Sequence, residues 1–273
     1  MDFSRYSSNN RGRRRQIRHA LICTTTIALL GWLCAAQPAR ADNPGYDRPG
    51  YGFTPVVLGP GDITLEQGLP DWSLTKQDGA TSAQYTADSL LRIGLGDSLE
   101  LQLGSSPWNA LRQTGNDGVA RYRGHGDSSL GLKLALPSSA TSFSWGLLAS
   151  VEFTDGAQAF RSDRRQYLFG AQFNLQVNER NGLGLYLQDV RNGGLNNTTL
   201  ALGDNYSLSR TLALYVETVA LHAPDQGNGT LAGAGLTWMI NPRVQLDAGF
   251  DHRLGGVAPR WQSNLGVSIY FGR

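Results

Sequence analysis

The sequence predicts an all-β protein, an antiparallel transmembrane β-barrel of about 12 strands with both termini on the periplasmic side. The first observation is a period of two: from Ile63 onward, segments of about ten residues alternate large apolar side chains with polar residues or glycine. The second is that the connections between these segments alternate between short and long. The third is length, because a tilted strand of about ten residues climbs roughly 25 Å, the height of the apolar band of such barrels.

The clearest predicted strand runs from Phe143 to Phe153, where every odd residue is apolar and the even ones are Ser, Gly, Leu, Ser and Glu. The segment from Tyr167 to Val177 repeats this pattern. Shorter examples are residues 99–103, 130–134 and 244–250. Successive side chains of a strand point to opposite faces, so each segment has one face suited to lipid and one suited to water.

Turn-forming residues divide the chain into hairpins. Five short connections are expected at Gly96-Asp97, Pro137–Thr141, Asn178–Asn181, Ser209-Arg210 and Asn241-Pro242. Six longer ones are expected at Gln77–Ser82, Ser105–Gly124, Asp155–Arg165, Asn192–Asn197, Ala223–Gly229 and Gly255–Pro259. Short turns at one end and long loops at the other are typical of outer-membrane barrels. The loop from Ser105 to Gly124 is long enough to fold into the mouth of the barrel.

Aromatic residues favour a barrel over a soluble β-sandwich, which would show the same alternation. Phe143 and Phe153 are ten residues apart on one face, and so are Trp261 and Phe271. This spacing is typical of the two aromatic girdles at the membrane interfaces.

The first 41 residues resemble an export signal. A basic segment, Arg11–Arg18, precedes 17 apolar residues, Ala20–Ala36, and an A-x-A site that predicts cleavage between Ala41 and Asp42. A membrane anchor is the alternative, but it needs about 20 apolar residues. We therefore expect a cleaved signal peptide (1–41), an irregular periplasmic leader rich in Pro and Gly (42–60) and an outer-membrane β-barrel (61–273) in a Gram-negative cell.

The charge of the chain depends on that cleavage. Residues 1–41 contain seven of the 24 basic residues, one of the 22 acidic residues and both cysteines, so the remainder has 17 basic and 21 acidic residues, a net charge of −4. This balance argues against a nucleic-acid partner. The lack of cysteine after residue 41 excludes disulfides and thiolate catalysis from the mature chain. We expect no cofactor.

The parity of the apolar rows assigns a set of charged residues to the lumen: Asp88, Arg92, Glu100, Arg123, Asp127, Lys133, Glu152, Glu217, Asp247 and Asp251, with Glu66 as a further member. Acids outnumber bases, so a water-filled path would prefer cations or neutral solutes. The alternative is a lumen without a pore, in which these charges pair with one another. Asp88 with Arg92, and Glu100 with Lys133, would be such pairs.

Two acids conflict with the strand pattern. Asp189 and Asp204 share parity with Leu187 and Leu202, so continuous strands would point them at lipid. A β-bulge or a shifted register between residues 188 and 205 would relieve this.

Catalysis is not expected. The mature chain has three histidines, His125, His222 and His252, and His125 and Ser128 fall on opposite faces of one strand, so they cannot act as base and nucleophile. Three scattered histidines do not form a metal site either. The sequence therefore predicts no enzyme.

Two further segments suggest partners. Gly266, Ile269 and Phe271 in the last segment match the C-terminal signal read by the barrel assembly machinery, although Gly272 and Arg273 follow the usually terminal aromatic residue. Arg161, Arg164 and Arg165 lie in one predicted loop. They are either solvated or in contact with lipopolysaccharide phosphates, which Arg binds well.

Several of these segments resemble the outer-membrane family named for transport in the meta-pathway of phenol degradation. They are Arg48–Phe53, Leu65–Trp72, Tyr85–Asp88, Glu100–Gly104, Ser106–Trp108 and Gly266–Phe271. The resemblance runs over about residues 48 to 271 and carries no catalytic motif. It implies an outer-membrane barrel that lets small aromatic compounds through.

Two functions follow as hypotheses. The first is a porin-like channel or transporter for passive passage of small solutes, aromatic or hydrophobic ones among them. The second is a non-conducting structural or surface-interaction barrel with an interior filled by side chains.

Overall fold

The computed structural model describes residues 45–272 except 78 and 117. Its 14 strands are β1 (Ile63–Gly68), β2 (Asp71–Gln77), β3 (Ala80–Gly94), β4 (Leu99–Gly115), β5 (Gly118–Gly124), β6 (Ser128–Leu136), β7 (Phe143–Glu152), β8 (Gln166–Gln176), β9 (Asn181–Asn192), β10 (Leu195–Ser207), β11 (Leu212–Ala223), β12 (Gly227–Asn241), β13 (Val244–Gly256) and β14 (Trp261–Phe271). No helix in these described residues is long and apolar enough to cross a bilayer.

The 14 strands occupy 12 positions, called staves here, around one closed antiparallel barrel, which confirms the predicted barrel of about 12 strands. β1 closes the sheet by pairing with β14, from Ile63 opposite Phe271 to Gly68 opposite Gly266. Two staves are interrupted: β1 and β2 are separated at Leu69-Pro70, and β5 and β6 at residues 125–127. Pro70 has no N–H for the ladder, and the carboxylate of Asp71 instead accepts the Leu265 N–H at 3.1 Å.

The outer face of the wall is apolar, as the alternation predicts. Phe169, Leu202 and Phe250 are 53%, 57% and 54% exposed, whereas Gln102 and Gln172 on the opposite face are each 6% exposed. This inversion of the usual burial order is what a lipid-facing barrel requires, because its hydrocarbon side lies outside and its polar side within.

The connections differ from the prediction at one end of the barrel. In place of four of the six expected long loops, only two or three residues separate lengthened strands: between β2 and β3, β4 and β5, β9 and β10, and β11 and β12. The segment from Ser105 to Gly124 is therefore a β-hairpin that extends β4 and β5, and not a loop in the mouth. Between the described strands, the longest connection is residues 153–165. The expected loops that are in fact parts of strands show only weak alternation in sequence. Their Gly and other turn-forming residues could not distinguish a long loop from a hairpin with a tight turn.

A β-bulge in β4 explains the one lumen assignment that the structure contradicts. Ser89 pairs with Ser105 but Ala87 pairs with Trp108, so one extra residue is inserted in β4 opposite Asp88. Beyond the bulge the parity of β4 is inverted. Arg123 pairs with Ala110, on the outer face, and its side chain is exposed rather than in the lumen.

Asp189 and Asp204 point outward without any bulge. Both neighbours of β9 pair with it in unbroken register, which excludes the expected shift between residues 188 and 205. Each acid lies three residues from the end of its strand, where a lipid-facing charge costs little. Asp189 also forms an ion pair with Arg191, at 2.9 Å.

The leader is irregular, as expected, but its position is not the one that a periplasmic segment implies. Residues 45–60 contact inward-facing side chains all round the wall: Glu66 of β1, Glu100 of β4, Lys133 of β6, Tyr186 of β9, Glu217 of β11 and Gln262 of β14. The described part of the leader therefore lies inside the lumen.

Candidate functional site in the barrel lumen

One half of the lumen is filled by a buried charge cluster, defined here as Asp47, Glu66, Arg92, Glu100 and Lys133. Arg92 donates to Glu100 and Glu66, both at 2.8 Å, and Lys133 lies 3.0 Å from both Asp47 and Glu100. Four of the five side chains, all but Asp47, are fully buried. Each charge thus has an opposite partner at hydrogen-bond distance, which is the condition under which buried charges are tolerated.

Leader residue Arg48 forms a second ionic contact with the wall. Its guanidinium lies 3.0 Å from Asp71 and 3.2 Å from both Asp88 and Asp247. Gly266 of β14 makes room for it, since a Cβ at this position would lie 2.4 Å from Nε of Arg48. The expected pair of Glu100 with Lys133 is present, whereas Asp88 pairs with Arg48 and not with Arg92.

The other half of the lumen is open. A cavity of about 300 Å³, called the acidic cavity here, is lined by Tyr51, Glu217, Asp251, Gln262 and Asn264 among others. Tyr51 donates its N–H to Glu217 at 3.1 Å and its hydroxyl to Gln262 at 2.6 Å. The leader thus forms one wall of this cavity.

A second cavity, of about 590 Å³, lies on the other side of the leader and reaches the turns at residues 177–180 and 208–211. Both cavities share Gly50, Tyr51 and Glu217 as lining residues. This contact between leader and β11 separates them.

An apolar cluster occupies the wall beside these cavities. It consists of Phe53, Tyr186, Ala201, Val219, Leu231 and Ala258, with Tyr51, Leu148 and Leu221 packed against it. Phe53 and Tyr186 meet edge to face, with ring centroids 5.8 Å apart. Tyr51 and Phe53 also line the second cavity, so part of the surface of that cavity is aromatic.

The loop at residues 153–165 folds over the end of the barrel opposite to the pair Ile63 and Phe271. Asp127 accepts the backbone N–H groups of Gly156 and Ser162, at 2.8 and 2.6 Å. Glu152 accepts the Ser162 hydroxyl at 3.1 Å. A cavity of about 420 Å³ lies beneath the loop.

Asp155 ties the start of this loop to β6. Its carboxylate accepts the Ser128 N–H at 2.8 Å and the Ser128 hydroxyl at 2.5 Å. These two hydrogen bonds stabilise the ionised form and lower the pKa of Asp155 below its ordinary value.

The structure groups most of the charged residues assigned to the lumen by parity. Glu66, Arg92, Glu100 and Lys133 are in the buried charge cluster. Asp88 and Asp247 contact Arg48, Glu217 and Asp251 line the acidic cavity, and Asp127 and Glu152 line the cavity beneath the loop. Arg123 alone joins none of these groups.

Sequence reasoning missed the leader residues that complete the site, Asp47, Arg48 and Tyr51. A signal was present, because an acidic and a basic residue are adjacent in a segment otherwise dominated by Pro, Gly and aromatic residues. Alternation cannot detect such residues, since the segment is not a strand.

His222 and His252 contact a neutral amide and an aromatic ring. Nδ1 of His222 lies 2.6 Å from the side-chain oxygen of Asn228, and the ring of His252 contacts that of Trp261 at a tilt of 56°, with centroids 4.1 Å apart. No group of three or more His, Cys, Asp or Glu in the described residues is placed to hold a metal ion. The predicted cleavage site, Ala41 and Asp42, lies outside the described residues.

Solved structures share this fold. An outer membrane channel from Pseudomonas putida F1 aligns with a TM-score of 0.63 at 16% identity, over 82% of this chain and 99% of that one. The KdgM porin, solved with disordered oligogalacturonate, aligns with a TM-score of 0.50 at 9% identity, over 77% and 99%. The transport unit of the autotransporter AIDA-I from Escherichia coli gives 0.50 at 12% identity, over 78% and 90%. These similar structures are channels and a transport unit rather than enzymes.

The sequence itself was compared with known proteins and families. Among curated proteins none matches it. One family model matches residues 46–271, which includes the described leader from Tyr46 and the barrel. Because that match spans most of the chain, the protein belongs to the family described as "Putative MetA-pathway of phenol degradation".

Proposed function

We propose that the protein is an outer-membrane channel for passive passage of small solutes. The observation that carries this proposal is the incomplete filling of the lumen: cavities of about 300 and 590 Å³ lie on the two sides of the Gly50-Tyr51 contact with Glu217. A small displacement of this part of the leader would join them into one path. Passage by diffusion needs such a polar path and no cofactor.

Aromatic and hydrophobic solutes are the proposed cargo. Tyr51 and Phe53 of the leader line the second cavity and give such molecules an aromatic surface beside the polar path. The family description links the chain to phenol degradation, which agrees with this choice.

The orientation is part of the proposal. Ile63 pairs with Phe271, so the first strand begins and the last strand ends at the same end of the barrel. We place that end in the periplasm, as is usual for outer-membrane barrels exported through a signal peptide. Recognition of Gly266, Ile269 and Phe271 by the barrel assembly machinery, and contact of Arg161, Arg164 and Arg165 with lipopolysaccharide, are proposed with it.

A non-conducting barrel is the second candidate, and one observation favours it. The buried charge cluster and the leader fill half of the lumen, and Arg92 and Lys133 are fully buried. If the leader never moves, the interior is a polar core and the loops carry the function.

Planar-bilayer recording of the full mature chain separates the two candidates. We expect a small conductance that prefers cations to anions, because lumen acids outnumber lumen bases. Replacing Arg48 by Met should raise the conductance, since the leader then loses its contacts with Asp71, Asp88 and Asp247.

The matched control is Arg121→Met, which removes the same charge from an exposed position of β5 and should leave the conductance unchanged. Heat-dependent gel mobility establishes that each variant is a folded barrel. Absence of conductance in both the wild type and Arg48→Met would favour the non-conducting barrel, and anion selectivity would refute the charge argument.

A further inference from the structure

The acidic cavity contains two carboxylates without a cationic partner among the described residues. Asp251 is only 5% exposed, yet its Oδ1 atom has no hydrogen-bond partner. Glu217 accepts the Tyr51 N–H with Oε2, while its Oε1 is buried and unpartnered. In contrast, the nearby carboxylate of Asp71, which also lines the cavity, is neutralised by Arg48 at 3.0 Å.

Sheet register explains why these two carboxylates share one space. Glu217 of β11 pairs with Gly233 of β12, and Gly233 pairs with Asp251 of β13. Residues that are directly opposite in a sheet point to the same face, so both carboxylates face the lumen from strands about 10 Å apart. Gly233 leaves the space between them free of a side chain. Asp251 leans into it, since a Cβ at residue 233 would lie 1.9 Å from Asp251 Oδ1.

The buried polar atoms that line the cavity without a hydrogen-bond partner are all of one type. Besides the two carboxylate oxygens, the amide oxygen of Asn264 is buried without a partner, and all three atoms are hydrogen-bond acceptors. Buried acceptors without donors are costly, so the cavity is complementary to a ligand that brings N–H groups and positive charge.

The size and shape of the cavity select among cations. A volume of about 300 Å³ equals the share of about ten liquid waters, much more than a bare ion fills. The described residues also provide no metal-binding group of three or more acidic, His or Cys side chains. An ammonium group donates up to three hydrogen bonds, and its organic part can contact Tyr51, which lines the cavity.

We propose that the acidic cavity binds a small organic ammonium ion, a protonated amine, with Glu217 and Asp251 as its counter-ions. The amine hydrogen-bonds to the two carboxylates over Gly233, and Tyr51 separates it from the second cavity. A role for this site in binding a solute during its transport rests on the proposed channel function. Binding itself is measured without transport.

The test uses the full mature chain folded in detergent micelles and isothermal titration with three probes of similar size: benzylammonium, benzyl alcohol and benzoate. We expect benzylammonium to bind and the neutral and anionic probes to bind at least about tenfold more weakly, the effect of a hydrogen bond to a charged group. This comparison uses the wild-type protein alone, so it does not depend on the folding of any variant.

Two isosteric variants then locate the site. Glu217→Gln and Asp251→Asn should each weaken benzylammonium binding about tenfold or more. Glu179→Gln and Asp97→Asn are the matched controls, because each removes the same charge from an exposed residue in a turn. They should bind as the wild type does.

Equal binding of benzylammonium and benzyl alcohol, no binding of benzylammonium, or unchanged binding in both lumen variants would each overturn the proposal. These outcomes are separate from the test of the channel. Conductance without ammonium binding would support the proposed channel and refute the proposed ammonium site. Ammonium binding without conductance would support the ammonium site and refute the channel.

Discussion

The two halves of the lumen use the same kinds of residue in opposite ways. In the buried charge cluster, Glu100 accepts hydrogen bonds from Arg92, Gln102 and the Leu58 N–H, and lies 3.0 Å from Lys133. On the open side, Asp251 is almost as buried, but no cationic side chain of the described residues pairs with it. A saturated cluster is rigid and specific, whereas an unsaturated one keeps capacity for a ligand. The difference suggests that the first half supports the barrel and the second half performs its function.

The largest expected effect comes from breaking the saturated half. Replacing Arg92 by Met keeps most of the side-chain volume. Among the described residues it leaves Asp47 and Glu100 with Lys133 and leaves Glu66 with no ion-pair partner. Removal of one partner of a buried ion pair typically costs about 3–5 kcal/mol. Urea unfolding in micelles should show a loss of this size.

The control for this variant is Arg112→Met, which removes an arginine from the extended hairpin of β4 and should change stability by less than about 0.5 kcal/mol. If both variants unfold at the same urea concentration, the cluster does not stabilise the barrel and the comparison between the two halves loses its basis.

A smaller effect on the free energy of unfolding is expected from one variant in each half of the lumen. Glu100→Gln should cost about 1.5–3 kcal/mol, because it removes a charged acceptor shared by several donors. Asp251→Asn should leave stability unchanged or increase it, because the lost charge has no cationic partner among the described residues. The same urea titration measures both. Equal losses in the two variants would show that Asp251 does have a stabilising partner.

The sequence predicted the wall of this lumen better than its contents. Period-two alternation assigned Glu100 and Lys133 to one face and paired them correctly, because both lie on regular strands in direct register. Arg123 was misplaced, since a single extra residue in β4 opposite Asp88 inverts the parity beyond it, and no residue pattern there marks a bulge. Alternation along a strand predicts only which face of the sheet a side chain is on. It cannot predict contacts with residues of an irregular segment such as the leader.

That limit explains why the two halves could not be told apart in advance. By parity, Asp88 of β3 and Asp247 and Asp251 of β13 are equivalent inward-facing acids. Arg48 approaches the first two and not the third, and this depends on the path of the leader between Gly45 and Pro60. The charge state of the lumen is therefore set by tertiary contacts of a segment that has no periodic pattern.

The smallest expected effect concerns the loop at residues 153–165. The pKa of Asp155 is lowered in the folded protein by the two hydrogen bonds from Ser128, so its stabilising contribution is fully present above the ordinary carboxyl pKa of about 3.9 and is lost as pH falls through the lowered value. Hydrogen–deuterium exchange of the loop should be faster in Asp155→Asn than in the wild type at about pH 6, and the two should converge as the pH falls below the lowered pKa of Asp155. Asp163→Asn, an exposed acid of the same loop, should behave as the wild type throughout. A difference between Asp155→Asn and the wild type that persisted at low pH would mean that Asp155 holds the loop through the shape of its side chain and not through its charge.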